Sequence, residues 1–251
     1  MSGDVLRASV VGIGLLMCGA QPVAAGHGVD HSAWDQMLHR YVKDGRVDYD
    51  AFLHKRDVLM RYLGLLGSVQ PERLSHDEQV AFWINAYNAC VIQGVFEHYP
   101  LKSVKGVRGF FDKIRYRIAG HDLTLNEIEA QGRALREWRI HVAVVCASAS
   151  CPPIRAEAYT ADRLEAQLTD QVTRFLKNSR DGLRIDGSTL WVSSIFKWYA
   201  KDVVMGAQTA ESLLAVLQPY LDAAVVDTAR KQHLSLKFLS YDWSLNIRRE
   251  R

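Results

Sequence analysis

The sequence lacks the features that would assign it at once to several functional classes. No apolar run reaches the length of about 18 residues that a membrane-spanning helix needs. The formal net charge is only +3 over 251 residues, so the overall charge does not indicate nucleic-acid binding. Internal repeats, low-complexity tracts and long linkers are also missing. These absences favour a globular protein with one main domain, and a hydrophobic content of 48% is ordinary for one.

The first 25 residues have the pattern of a secretory signal peptide. Arg7 supplies a positive charge, residues 8–20 form an apolar segment, and Val23-Ala24-Ala25 offers small residues at a cleavage site. We therefore expect an exported protein, periplasmic or secreted, with no transmembrane helix after cleavage. Lipid anchoring at Cys18 is a less favoured alternative, because Met17 is too bulky for the position before the lipidated cysteine.

Cysteine is scarce, and its spacing does not match the common motifs. Cleavage after residue 25 would leave Cys90, Cys146 and Cys151. Four residues separate the last two, whereas the common redox motif has two, and with one histidine they are too few for a closed zinc site. We therefore expect no metal site, and the sequence identifies no cofactor. The pair is either a disulfide, which an oxidising compartment favours, or includes a nucleophilic or redox-active thiol.

Two capping boxes predict where helices begin. Ser75 and Glu78 form the first, in which each side chain satisfies a main-chain N–H group of the other. The helix that follows is apolar nearly all round and ends at Pro100, so we expect it to be central and buried. Thr124 and Glu127 form the second capping box and begin a shorter helix.

Two further patterns predict strands. Residues 140–145 are apolar and rich in valine, which favours a buried strand leading into the cysteine loop. Asp186-Gly187 favours a hairpin turn between short strands near 183–185 and 190–192. Together with the helices, they predict an α+β fold: a helix-rich single domain around a small, mainly antiparallel sheet.

Asn85 and Asn88 are the most unusual residues of the central helix. They are three residues apart, so they share one face among large apolar side chains. A buried amide without partners costs roughly 1–3 kcal/mol, so both need hydrogen bonds. They either line a polar cavity as catalytic or orienting groups, or tie neighbouring loops to the helix, which is the more ordinary role.

His141, Cys146 and Cys151 are the other catalytic candidates. In a regular strand, His141 and Cys146 would point to opposite faces, so Cys151, in the loop beyond, is the better partner for the histidine. Pro152 favours a helix start, and the positive end of that helix would lower the pKa of the Cys151 thiol. His141 alone is more often a satisfied core residue than a base.

The candidates for ligand binding are Tyr87, Glu129, Cys146, Arg155 and Asp242. Asp242 either contributes to the site or only accompanies a chain end that docks on the core. A basic stretch either attracts a small polar or anionic ligand or is a solvated edge strand; its residues are Lys102, Lys105, Arg108, Lys113, Arg115 and Arg117.

Several of these motifs give the chain a resemblance to an uncharacterised family, domain of unknown function 547 (DUF547). The matching segments are AFWINAYN at 81–88, LNEIE at 125–129, the block 141–153, FKWY at 196–199 with Asp202, and YDWSLN at 241–246. We accordingly divide the chain into a signal peptide at 1–25, an N-terminal helical segment at 26–69 and a DUF547-like domain at 70–246. Similar sequences commonly carry a histidine after the Ile-Glu pair, where this chain has Ala130.

Two functions remain open. The first is a thiol-dependent hydrolase or acyl transferase, with Cys151 as nucleophile, His141 as general base and Asn85 or Asn88 as an orienting or oxyanion-binding group. The second is a non-catalytic periplasmic ligand-binding or scaffolding domain, in which a Cys146–Cys151 disulfide makes the loop rigid; Ala130 favours this alternative.

Overall fold

The structure is a computed structural model, and it describes residues 28–248. The predicted signal peptide and Cys18 lie outside the described residues. Within them the fold is α+β and helix-rich, as the sequence predicts, but the strands form three small separate sheets. Three of the four strand pairings are antiparallel.

The N-terminal segment packs into the same core as the central helix. Within the segment Trp34 stacks on Tyr62, and Phe52 attaches the segment to the central helix by packing edge to face on Phe96. Its elements are α1 (Ser32–Tyr41), β1 (Val42–Lys43), β2 (Arg46–Val47), α2 (Tyr49–Leu53) and α3 (Arg56–Ser68).

The central helix is α4 (His76–His98), and it begins at the predicted capping box. Its residues from Val80 to Ile92 are all buried, because α3 packs on one side and α5 on another. The second capping box likewise begins α5 (Leu125–Ala134), directly after the hairpin of β3 (Tyr116–Ile118) and β4 (His121–Leu123).

The strand predicted at 140–145 is wrong. Residues Ile140–Ala143 form a one-turn helix, α6, and only from Val144 is the chain extended. The valines favour a strand, but no strand of residues 28–248 pairs with them. The side chain of Asn88 instead binds the main chain on both sides of Val144. Tertiary contacts therefore override local β-propensity. Because Ile140–Ala143 is helical, strand alternation does not place His141 and Cys146 on opposite faces.

The C-terminal part has a second apolar core, between a three-stranded sheet and helices. The predicted hairpin is confirmed, with Gly187 in its turn at a φ of 54°. The last strand pairs in parallel with β6. The elements are α7 (Leu164–Lys177), β5 (Leu183–Asp186), β6 (Thr189–Val192), α8 (Ser194–Trp198), α9 (Ala200–Val203), α10 (Ala210–Leu217), α11 (Ala223–Arg230) and β7 (Ser235–Phe238).

The chain end after β7 crosses back over the cysteine loop. The main-chain N–H groups of Ala149 and Ser150 donate to the carbonyls of Ser244 and Asp242, at 2.7 and 3.2 Å. This pairing brings residues from the last motif next to Cys146. None of the helices in residues 28–248 is long and apolar enough to cross a lipid bilayer.

Candidate active site

A cavity of about 300 Å³ lies where α4, α5, α6, α8 and the chain end meet the cysteine loop. Both cysteines of the loop and His141 are among its lining residues. Six of its thirteen lining residues are aromatic, so its walls are largely apolar. The lining residues are Tyr87, Phe111, Asn126, Glu129, His141, Val144, Cys146, Cys151, Ile195, Trp198, Tyr199, Tyr241 and Trp243.

Three polar side chains surround the Cys146 sulfur. Its Sγ is 3.0 Å from Cys151 Sγ, 3.0 Å from Ser148 Oγ and 3.3 Å from the Tyr241 hydroxyl. The Ser148 hydroxyl donates to the Tyr241 oxygen at 3.0 Å, which leaves the Tyr241 proton free to point at the sulfur. The Cys146 main-chain N–H in turn donates to Cys151 Sγ at 3.0 Å.

These contacts separate the two thiols in acidity. The hydrogen bond from Cys151 is the main cause that lowers the pKa of Cys146 to about 7, against the opposing effect of burial; Ser148 and Tyr241 lower it further. Burial raises the pKa of the Cys151 thiol, and the neighbouring Cys146 raises it again. Cys146 is therefore the sulfur that becomes a thiolate first, with Cys151 as its donor.

The disulfide that the sequence allowed is absent from the described structure, in which Cys146 and Cys151 are both free thiols. Cys90 is also free and fully buried in α4, where burial raises its pKa. Cys90 is therefore a core residue with an unreactive thiol, as the apolar sequence around it predicts.

His141 is buried on α6 and is bound on one side only. Its Nε2 lies 2.8 Å from Asp202 Oδ2, and the same oxygen accepts a hydrogen bond from Arg133 Nε at 2.7 Å. The ring of Tyr199 stacks on the imidazole, with centroids 3.8 Å apart. Burial lowers the pKa of His141 to about 4, although Asp202 opposes this, so the imidazole is neutral at neutral pH.

The second nitrogen of His141 is free. Its Nδ1 is buried and has no hydrogen-bond partner among the described residues. Because Nε2–H donates to Asp202, Nδ1 carries the lone pair, which is the form that can accept a proton. The Arg133 guanidinium lowers the pKa of Asp202 and keeps it ionised. A carboxylate therefore orients an imidazole whose free nitrogen is the one able to act as a base.

Asn85 and Asn88 both bind main chain and do not line the cavity. The Asn85 amide exchanges two hydrogen bonds with the main chain of Tyr159, at 2.8 and 3.0 Å. Asn88 donates to the Ala143 carbonyl and accepts from the Val145 N–H, at 3.1 and 2.8 Å. The structure thus gives both amides the role of tying loops to α4, and Asn88 holds the segment between His141 and Cys146.

Two of the predicted ligand-binding residues line the cavity beside Cys146. Glu129 is on α5, and burial raises the pKa of its carboxyl, while the Tyr199 hydroxyl and Arg133 oppose that effect. Tyr87 comes from α4; burial raises the pKa of its phenol and nearby Glu129 raises it further. Burial raises the pKa of the Tyr199 phenol as well, so Tyr87 and Tyr199 are both neutral in the cavity wall.

The other two ligand-binding candidates lie outside the cavity lining. Arg155 forms ion pairs with Glu157 and Asp170. The Asp242 carboxylate is half exposed and lies 3.5 Å from Arg180; its neighbours Tyr241 and Trp243 line the cavity instead. Ala130 is exposed and is likewise not part of the lining.

Two arginines of the basic stretch, one directly before β3 and one within it, have acidic partners. Arg115 binds Glu127, Arg117 binds Asp122, and all four side chains are exposed. Lys113 lies before the strand begins. The arrangement agrees with a solvated hairpin edge. Lys105 has an aromatic partner instead of an acidic one, because its ammonium lies 4.5 Å from the centroid of the Trp243 ring.

Sequence reasoning missed the residues that complete the site. Asp202, Tyr199 and Tyr241 were visible only as parts of matching motifs, and nothing in their spacing linked them to His141 or Cys146. Arg133 carried no signal at all. Asp202 lies 61 residues beyond His141 in the chain, so only the folded structure brings them together.

Comparison with known proteins agrees with the resemblance. Residues 71–176 match the model of the family described as "Protein of unknown function, DUF547". This region contains three of the five motifs and supplies Cys146, Cys151, His141 and Glu129 to the cavity. Neither the curated proteins nor the solved structures gave a match. The similarity to this family is therefore shown for residues 71–176.

Proposed function

We propose that this protein, which resembles the DUF547 family over residues 71–176, is a thiol-dependent hydrolase or acyl transferase in which Cys146 is the nucleophile. The observation that carries the proposal is that His141, whose buried Nδ1 has no partner, lines the same cavity as Cys146, the most acidic thiol among the described residues. A nucleophile, a base and a carboxylate that orients the base are the parts that such chemistry needs.

Each residue has a defined step in this mechanism. The Cys146 sulfur attacks the carbonyl carbon of an ester, amide or thioester, while His141 Nδ1 holds the thiol proton. Asp202 stabilises the imidazolium that forms. The tetrahedral intermediate collapses, His141 gives the proton to the leaving group, and a thioester remains on Cys146. Water then releases a carboxylic acid, or an alcohol or amine takes the acyl group.

Cys151 becomes a supporting residue in this proposal. Its raised pKa keeps it protonated, so it donates a hydrogen bond to the Cys146 thiolate. The proposal thus moves the nucleophile from Cys151, which the sequence favoured, to Cys146, because hydrogen bonds lower the pKa of Cys146 while burial raises the pKa of Cys151.

The test is acylation with p-nitrophenyl acetate, followed by intact mass and peptide mapping. We expect a burst of p-nitrophenol and an acetyl adduct at Cys146 that hydroxylamine removes. Cys146→Ala abolishes both, while Cys90→Ala, at a cysteine away from the cavity, retains them. An adduct at Cys151, or equal acetylation in the Cys146→Ala protein, would refute the assignment.

A ligand-binding domain without catalysis is the alternative, and the aromatic lining of the cavity favours it. It predicts thermal stabilisation by a ligand and no acyl adduct, so the same mass measurement separates the two functions.

We also propose that the protein is exported, on the strength of residues 1–25. Expression with a C-terminal tag, cell fractionation and N-terminal sequencing test this. Export predicts an N-terminus at Gly26, and recovery of the chain in the cytoplasm with residues 1–25 intact contradicts it.

A further inference from the structure

The charges that line the cavity are unequal. Glu129 is the one carboxylate among its lining residues, and the lining contains no lysine or arginine. His141 adds no positive charge, because its pKa of about 4 leaves it neutral. The Cys146 thiolate adds negative charge when it forms. A ligand with a carboxylate or phosphate would therefore meet repulsion inside the cavity.

Glu129 also lacks a cationic partner within residues 28–248. Its carboxylate takes part in no ion pair there. The nearby Arg133 instead donates from Nε to Asp202 at 2.7 Å, and its guanidinium lies over the Tyr199 ring. Buried carboxylates are generally paired or hydrogen-bonded to offset the loss of hydration. The groups that face Glu129 are neutral tyrosines, Tyr87 and Tyr199, and the Asp202–Arg133 pair. Glu129 is half-buried and has the Tyr199 hydroxyl as a hydrogen-bonding neighbour, but no cation pairs with it among the described residues.

The aromatic walls favour the same kind of ligand. The face of an aromatic ring attracts a cation, most strongly for tryptophan. Two rings of the lining already do this with the protein's own side chains: Trp243 with Lys105 and Tyr199 with Arg133. Trp198 holds no such cation in the described chain, and 48% of its surface is exposed beside Tyr241.

We infer that the cavity binds a cationic ammonium group of the substrate, held by Glu129 and the open aromatic rings. This inference rests on the proposed function in treating the cavity as the substrate site, and it narrows the substrate class. The acyl donor or the acyl acceptor carries an amine or a quaternary ammonium group. The inference also replaces the anionic ligand that the basic stretch suggested.

The test measures binding without chemistry, in the full-length Cys146→Ser protein. Each of two cations is compared with an uncharged analogue of similar size: choline with its isostere 3,3-dimethyl-1-butanol, and n-butylammonium with n-butanol. Binding is followed by tryptophan fluorescence, because Trp198 and Trp243 line the cavity. We expect at least one cation to bind roughly tenfold more tightly than its uncharged partner. Glu129→Gln removes that preference, and Glu211→Gln, a control on α10, keeps it.

Every other outcome overturns the inference. These outcomes are equal affinity within both pairs, no binding by either cation, or a preference that survives in the Glu129→Gln protein. Thermal unfolding of each variant checks that the fold is retained, and the more conservative Glu129→Asp, which keeps the charge, should retain part of the preference. Because p-nitrophenyl acetate is uncharged, acylation of Cys146 can succeed when cation binding fails, and the reverse. The two proposals therefore fail separately.

Discussion

Replacement of Cys151 by alanine should raise the pKa of the Cys146 thiol from about 7 to about 8. The hydrogen bond from Cys151 is the largest influence that lowers this pKa. A hydrogen bond to a charged group contributes about 1.5–3 kcal/mol, and one pKa unit corresponds to about 1.4 kcal/mol. A thiol is a weak donor, so we take the lower end, about one unit. Cys151→Ser keeps a donor at the same place and should leave the pKa near 7.

The assay is the rate of alkylation of Cys146 by iodoacetamide as a function of pH, followed by peptide mass spectrometry. The pH midpoint is more informative than the rate at a single pH. At pH 7 a thiol of pKa 7 is half ionised, about 16 times more than a thiol of pKa about 8.5. The thiolate of lower pKa is also less basic, which reduces its intrinsic reactivity about fivefold. The net gain in alkylation rate at pH 7 over the thiol of pKa about 8.5 is therefore only about threefold.

Cys90 provides an internal control, since burial raises its pKa and it should stay unmodified until the protein unfolds. The reasoning fails if Cys151→Ala leaves the midpoint at about 7. It fails as well if the alkylated residue in the unaltered protein is Cys151.

Three further predictions concern other contacts of the site. Asp202→Asn should slow acylation by a factor on the order of 100 or more with little change in melting temperature, because it removes the charge that stabilises the protonated base; an unchanged rate contradicts the mechanism. Asn88→Ala should lower the free energy of unfolding by about 2–5 kcal/mol, measured in urea, since it leaves two buried main-chain groups unpaired. Gln93→Ala, at a half-buried position of the same helix whose amide binds only the exposed Glu97, should change it by less than about 0.5 kcal/mol. Hydrogen peroxide should oxidise Cys146 and Cys151 to a disulfide with release of two water molecules. Acylation should then stop, and it should return when dithiothreitol reduces the disulfide. Acylation that persists after complete oxidation contradicts the role of Cys146.

The sequence predicted the helical framework well because its signals are local. A capping box involves residues three positions apart, so Ser75 and Glu78 fix the start of α4 without reference to the rest of the chain. The turn at Asp186-Gly187 is equally local. The prediction for the segment 140–145 was wrong. Its valines satisfy the pattern of a strand, but the main chain there is bound by Asn88 from α4. Residue pattern alone contains no information about that distant partner.

The same limit applies to the site. His141, Cys146, Cys151 and Glu129 stood out as residue types in distinctive motifs, and the fold does place them around one cavity. Their roles depend on which atom each one binds. The choice between two cysteines five positions apart rests on the direction of a few hydrogen bonds, and the base is recognisable only through Asp202. Sequence reasoning therefore found the location and could not assign the roles.

The proposed active site needs more of the chain than the part that matches the family model. Residues 71–176 contain the nucleophile and the base, yet the carboxylate that orients the base is Asp202, and the hydroxyl that points at the sulfur is from Tyr241. The chain end is itself held by the N-terminal segment, where the Tyr49 hydroxyl donates to Asn246 Oδ1 at 2.7 Å. Because these contacts join the first and last elements across the cysteine loop, we expect catalysis to require the whole of residues 28–248 as one folding unit.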